Sequence, residues 1–115
     1  MYKIKTIQGK GRGLVAAKAI RKGQLIEASP MLVFSHKDSK VLDKTLLGSY
    51  VFAYSATKTC LALGVGSLFN HNNSPNVECY FHDGENTMYF NAITAIAAGD
   101  ELTINYGWPK KYLDF

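Results

Sequence analysis

The sequence predicts a mostly β single domain, on three observations. Its apolar runs are short, and several alternate with polar residues as half-buried strands do. Most of its turns are marked by glycine. At 115 residues and 12.7 kDa, with 47% hydrophobic and 19% charged residues, it has enough apolar content for one packed core. Little length is left for a second domain or a linker.

Each element follows in order. Residues 2–7, Tyr-Lys-Ile-Lys-Thr-Ile, alternate and predict a strand. Gly9-Lys10-Gly11-Arg12-Gly13 is a loop of three glycines, and residues 14–17 read as a second strand. Residues 20–23 make a turn. Residues 24–28 make a third strand, which Pro30 confines to an edge or an end, and residues 31–34 continue extended. Val41-Leu42 and Leu46-Leu47 predict one short helix, and residues 50–54 have strand composition. Residues 60–64 are a buried apolar run, and residues 67–69 one helical turn. The polar stretch 70–76, Asn-His-Asn-Asn-Ser-Pro-Asn, reads as a loop. Residues 77–81 and 87–92 are strands joined by a hairpin turn at Asp83-Gly84-Glu85-Asn86. Residues 98–100 turn, residues 101–106 alternate again, and Gly107-Trp108-Pro109 ends that strand.

Composition excludes several function classes. The net charge is +4, which attracts anionic partners weakly. The basic residues are scattered without a long block, so direct nucleic-acid binding is not expected. Cys60 and Cys79 form no C-x-x-C pair and cannot build a disulfide framework or a four-ligand zinc site. They read as buried free thiols. His71 lacks a second ligand at metal spacing, so no metal is expected. The N-terminus lacks the apolar run of a signal peptide, and no stretch approaches the ~18 apolar residues of a membrane span. These features predict a soluble intracellular protein.

Four constellations could carry chemistry. Gly11-x-Gly13 can expose backbone N–H groups to a ligand, although a plain turn is the simpler reading. Asn70 and His71 offer donors and acceptors at the start of a polar loop. Tyr106, at a strand end before a glycine, can place a hydroxyl over a cleft. Trp108, Tyr112 and Phe115 can stack on a ligand or close the core.

In their order these segments resemble the SET-domain protein-lysine methyltransferases. The resemblance rests on Gly11-Arg12-Gly13-Leu14-Val15-Ala16, Ile20-Arg21-Lys22-Gly23-Gln24-Leu25-Ile26, Phe69-Asn70-His71 with Pro75-Asn76, and residues 99–107, Gly-Asp-Glu-Leu-Thr-Ile-Asn-Tyr-Gly. It covers residues 10–107 of a single domain 1–115, with a short tail 108–115. It is nearest to minimal members of viral or bacterial type that lack flanking zinc modules. The cysteine that would open such a module is absent from Asn70-His71-Asn72-Asn73.

The resemblance implies small curved β-sheets around a knot-like crossing, with few short helices. The strand ending at Tyr106 passes under the loop that holds Asn70 and His71. It implies S-adenosylmethionine as cofactor, held by Lys10, Gly11, Arg12, Gly13 and Leu14, by Asn70 and His71, and covered by Trp108. It implies methyl transfer to the ε-amine of a lysine in a protein or peptide substrate, a histone among the candidates. Tyr106 is then the catalytic residue, with Tyr50, Ile104 and Tyr112 along the lysine channel. Ile104 stands where the family often has a Phe or Tyr that limits methyl number, which implies room for more than one methyl. A homodimer would help so small a domain complete its groove. The alternative is a catalytically silent module of the same fold that binds protein or nucleic acid.

Overall fold

The structure is a computed structural model that describes residues 1–82, 84–106 and 110–112, the last three by backbone alone. Its strands are β1 (Tyr2–Ile7), β2 (Gly11–Ala16), β3 (Leu25–Phe34), β4 (Phe52–Ala53), β5 (Thr59–Ala62), β6 (Asn70–His71), β7 (Val77–His82), β8 (Thr87–Ala92), β9 (Glu101–Ile104) and β10 (Lys110–Tyr112). One α-helix, α1 (His36–Leu42), and two 3₁₀ turns, Leu46–Ser49 and Gly66–Leu68, complete the set. Ser35 caps α1 by accepting a hydrogen bond from the Asp38 N–H, and Lys40 lies in its last turn.

The strands form two sheets, β1-β2-β9-β6 and β10-β7-β8-β3-β5-β4. β1 and β2 are antiparallel in the register Tyr2 to Ala16 through Ile7 to Gly11. The predicted glycine loop is therefore tighter than expected. The chain reverses over residues 8–10, and Gly11-Arg12-Gly13 already belong to β2. The expectation for Pro30 also changes. β3 runs unbroken through it, pairing with β8 up to Pro30 and with β5 from Met31 onward. Proline has no N–H to donate, and here it sits where one ladder hands over to the other. Of residues 50–54, only Phe52–Ala53 pair as strand. In the hairpin after β7, Asp83 lies outside the described residues and Gly84 has φ 82°.

The core joins both sheets. Leu14, Leu102 and Ile104 come from the first, and Met31, Cys60, Cys79, Phe81, Met88 and Phe90 from the second, all in one buried cluster. Phe69, which ends the second 3₁₀ turn, stacks on Phe90 with ring centroids 4.5 Å apart. A Cβ on Gly66 would stand 2.5 Å from Ser29 Oγ and 2.9 Å from Phe90, so only glycine lets this turn settle on the core. The turn thereby carries residues 67–70 to one fixed place. Among the described residues no helix is long and apolar enough to cross a membrane.

Candidate active site

Two segments far apart in sequence meet at β9. β6 pairs with it in parallel, Asn70 beside Thr103 and His71 beside Ile104, while β2 pairs with it on the other side. The loop after β6 is laced to the same strand. The Asn72 N–H donates to the Ile104 carbonyl. The Asn76 amide donates to the Glu101 carbonyl at 2.8 Å, and its Oδ1 accepts from the Thr103 N–H at 2.9 Å. The segment expected to be wholly loop thus opens with two paired strand residues. These contacts bring the two segments together where the resemblance implies the crossing.

Asn70 is fixed at this crossing. Its Nδ2 donates to Glu101 Oε2 at 2.9 Å and to the Arg12 carbonyl at 3.2 Å. Both amide hydrogens are committed, which leaves Oδ1 as an acceptor. Glu101 Oε1 also pairs with Lys10 Nζ at 3.0 Å. A Cβ on Gly13 would collide with Asn70 Nδ2 and stand 2.8 Å from Ile7 Cγ1, so the glycine makes room for this amide. A Cβ on Gly11 would meet nothing within 4 Å, so its backbone lies open.

His71 holds Tyr106. The Tyr106 N–H donates to His71 Nδ1 at 2.9 Å. Since that nitrogen accepts, the ring proton sits on Nε2 and is donated to Asn73 Oδ1, 2.8 Å away. The two rings lie 5.0 Å apart. Tyr106 is 58% exposed, yet its hydroxyl turns inward and donates to the Phe69 carbonyl at 3.3 Å. Burial of that end raises the phenol above its ordinary value, outweighing the lowering effect of the His71 contact. Tyr106 is therefore a neutral O–H donor at working pH, not a phenolate.

Two cavities meet at this tyrosine. One, of about 240 Å³, is lined by Tyr50, Val51, Phe52, Phe69 and Tyr106 among others. The second, of about 220 Å³, is lined by Lys10, Gly11, Arg12, Asn70 and Tyr106 among others. Ser49, Tyr50, Ser67, Phe69 and Tyr106 line both. A larger hollow of about 390 Å³, between α1 and residues 53–59, holds none of the expected site residues.

Of those residues, Lys10, Gly11, Arg12, Asn70, Tyr50 and Tyr106 come together around the paired cavities. Gly13 and His71 stand one step behind, supporting Asn70 and Tyr106. Leu14 and Ile104 are wholly buried in the core and line neither cavity. Trp108 lies outside the described residues, as does the side chain of Tyr112. Sequence reasoning quoted Glu101, Asn76 and Phe69 within its motifs but gave them no role at the site. Glu101 and Asn76 were readable as polar residues beside an alternating strand, but the crossing that uses them joins segments about 30 positions apart. Among the described residues no group of three or more His, Cys, Asp or Glu could hold a metal ion.

Comparison with known proteins gives the family. The family profile described as SET domain matches residues 11–107. A curated protein of Schizosaccharomyces pombe is 36% identical over 105 residues, spanning 90% of this chain and 71% of its own length. It is named histone-lysine N-methyltransferase, H3 lysine-37 specific. A crystal structure of a candidate histone methyltransferase from Plasmodium falciparum superposes with a TM-score of 0.72 at 25% identity, covering 94% of each chain.

Proposed function

Because this chain belongs to the SET domain family, we infer that its paired cavities bring a lysine and a methyl donor together at Tyr106. The activity is protein-lysine methyl transfer. What carries the assignment of the site is one observation: Tyr106 lies in the wall common to both cavities.

The donor fitting this site is S-adenosylmethionine, which when bound supplies a methyl group on a positively charged sulfur. The residues suit its amino-acid end. Asn70 Oδ1 is an acceptor for an ammonium, Lys10 and Arg12 offer cationic groups to a carboxylate, and Gly11 leaves the backbone open to close approach.

The other cavity suits a lysine stem. Tyr50, Val51, Phe52 and Phe69 supply apolar surface along it, beside the polar Ser49 and Ser67. An ordinary lysine amine, with a pKa of about 10.4, is a poor nucleophile because it is protonated. Desolvation against that apolar surface favours the neutral amine, and so does a nearby positive charge. The proton leaves to water, and no strong base is needed. Tyr106 donates its own hydrogen to the Phe69 carbonyl, so its oxygen lone pairs are free to accept an amine N–H. That bond orients the nitrogen lone pair toward the second cavity. The work of the site is alignment, which can supply roughly 7–11 kcal/mol of the barrier.

The Schizosaccharomyces pombe relative is named for histone H3, so histone tails are the first substrates to try. Incubation with labelled S-adenosylmethionine and a panel of histones should label one or a few lysines. Absence of label across that panel and a general protein extract would contradict the assignment.

A further inference from the structure

The basic residues of this chain are unevenly divided. Residues 1–26 hold seven, Lys3, Lys5, Lys10, Arg12, Lys18, Arg21 and Lys22, and no acidic residue. The remaining 89 residues hold six basic and nine acidic residues. Along the sequence the seven look scattered, but the fold gathers most of them. Lys3 and Lys5 alternate along β1 and so project from one face, about 7 Å apart. The loop that follows β2 returns to the start of β1. The Ala17 N–H donates to the Met1 carbonyl at 2.8 Å, and Gln24 Nε2 lies 3.9 Å from Met1 Sδ. Lys18, Arg21 and Lys22 lie on the loop between those two anchors.

These five side chains are exposed, and none pairs with a carboxylate among the described residues. Lys10, by contrast, is paired with Glu101 beside the cavity. Asp100, the acid nearest this loop in the hydrogen-bond pattern, turns its carboxylate onto the Ala97 N–H. The five residues line neither cavity of the active site. Lysines on an edge strand discourage edge-to-edge association, which accounts for Lys3 and Lys5 on β1. It does not account for Lys18, Arg21 and Lys22, which sit in a loop.

We propose that Lys3, Lys5, Lys18, Arg21 and Lys22 form a docking surface for the phosphate backbone of duplex DNA, bound without reading its sequence. Exposed, unpaired cations on a folded edge meet the needs of phosphate neutralisation and counterion release. The partner is distinct from the protein substrate and would hold the enzyme near a DNA-bound target.

Fluorescence anisotropy with a random-sequence duplex tests this. Neutralising about four phosphates gives a log–log salt slope of about −3.6, so affinity should fall about 150-fold between about 50 and 200 mM salt. Lys18→Glu with Lys22→Glu should weaken binding at least about tenfold and flatten the slope by about two contacts. Methyl transfer to a free peptide should stay unchanged. If those reversals lower the melting temperature, Lys18→Ala with Lys22→Ala should show the same direction. Lys37→Glu with Lys44→Glu, near α1, is the control. The proposal is overturned if binding is independent of salt, or if the control weakens it as much. Binding to anionic lipid vesicles without binding to the duplex would also overturn it.

Discussion

At the scale of single residues, Tyr106 and Asn70 owe their positions to partners that are remote in sequence. Tyr106 was legible as a candidate through its place in the motif; the strand expected to run to it stops at Ile104, and Tyr106 stands in the turn beyond. Its support was not legible, because the His71 contact spans 35 residues and the Phe69 carbonyl 37. Glu101 offers the sharper test. It accepts from Asn70 and from Lys10 at once. The Lys10 pair is partly exposed, so losing it should cost stability only about 0–1 kcal/mol. Losing the acceptor for Asn70 should matter more to binding than to folding. Glu101→Ala should weaken S-adenosylmethionine binding about tenfold by calorimetry, on the scale of one hydrogen bond to a charged group. Glu101→Gln keeps an acceptor oxygen and should recover part of that loss. Equal affinity in all three proteins would remove Glu101 from the positioning of Asn70.

At the scale of elements, the strands were legible wherever alternation and burial coincide, as in β7 and β8. β1 forms where the alternation predicts it, but its interior is exposed and Ile4 faces solvent. They were misread where pairing, not local pattern, decides. β3 continues through Pro30 because the ladder changes partner there. β6 is two residues long and exists only because β9 lies beside it. The glycines of β2 divide the same way. Gly11 is needed for its backbone, at φ 76° with open space around it, whereas Gly13 is needed for the space that Asn70 fills. Gly11→Ala should therefore cost about 1 kcal/mol of stability through strain. Gly13→Ala should cost roughly 1–3 kcal/mol through overpacking and should also weaken cofactor binding. Denaturant melts paired with calorimetry separate the two effects. A Gly13→Ala protein with unchanged cofactor affinity would show that Asn70 does not depend on this space. A similar hub joins α1 to β5. Ser39 Oγ donates to the Phe34 carbonyl and accepts from the Thr59 N–H and hydroxyl. Ser39→Ala should lower stability by about 1–3 kcal/mol while leaving methyl transfer intact, as measured by chemical denaturation and a peptide assay.

At the scale of the whole molecule, one core carries two sheets and, between them, the crossing that holds the site. Its two cysteines report on that core. Both are buried free thiols, and desolvation pushes each from about 9 up to about 12. Below pH about 9, folded and unfolded chains both keep these protons, and the stability they represent is complete. Between about 9 and 12 the unfolded chain releases protons that the native state retains, so stability falls as pH rises. Cys79→Ala should show a shallower decline over that range in denaturant midpoints, and an identical decline would contradict the assignment. What remains central is the wall shared by the two cavities. The most direct measurement compares Tyr106→Phe with the natural protein for both S-adenosylmethionine affinity and the rate of labelled methyl transfer to lysine. If the Tyr106 hydroxyl aligns the amine, the rate should fall by about a hundredfold or more while cofactor affinity changes little. A full-rate Tyr106→Phe enzyme would contradict the account.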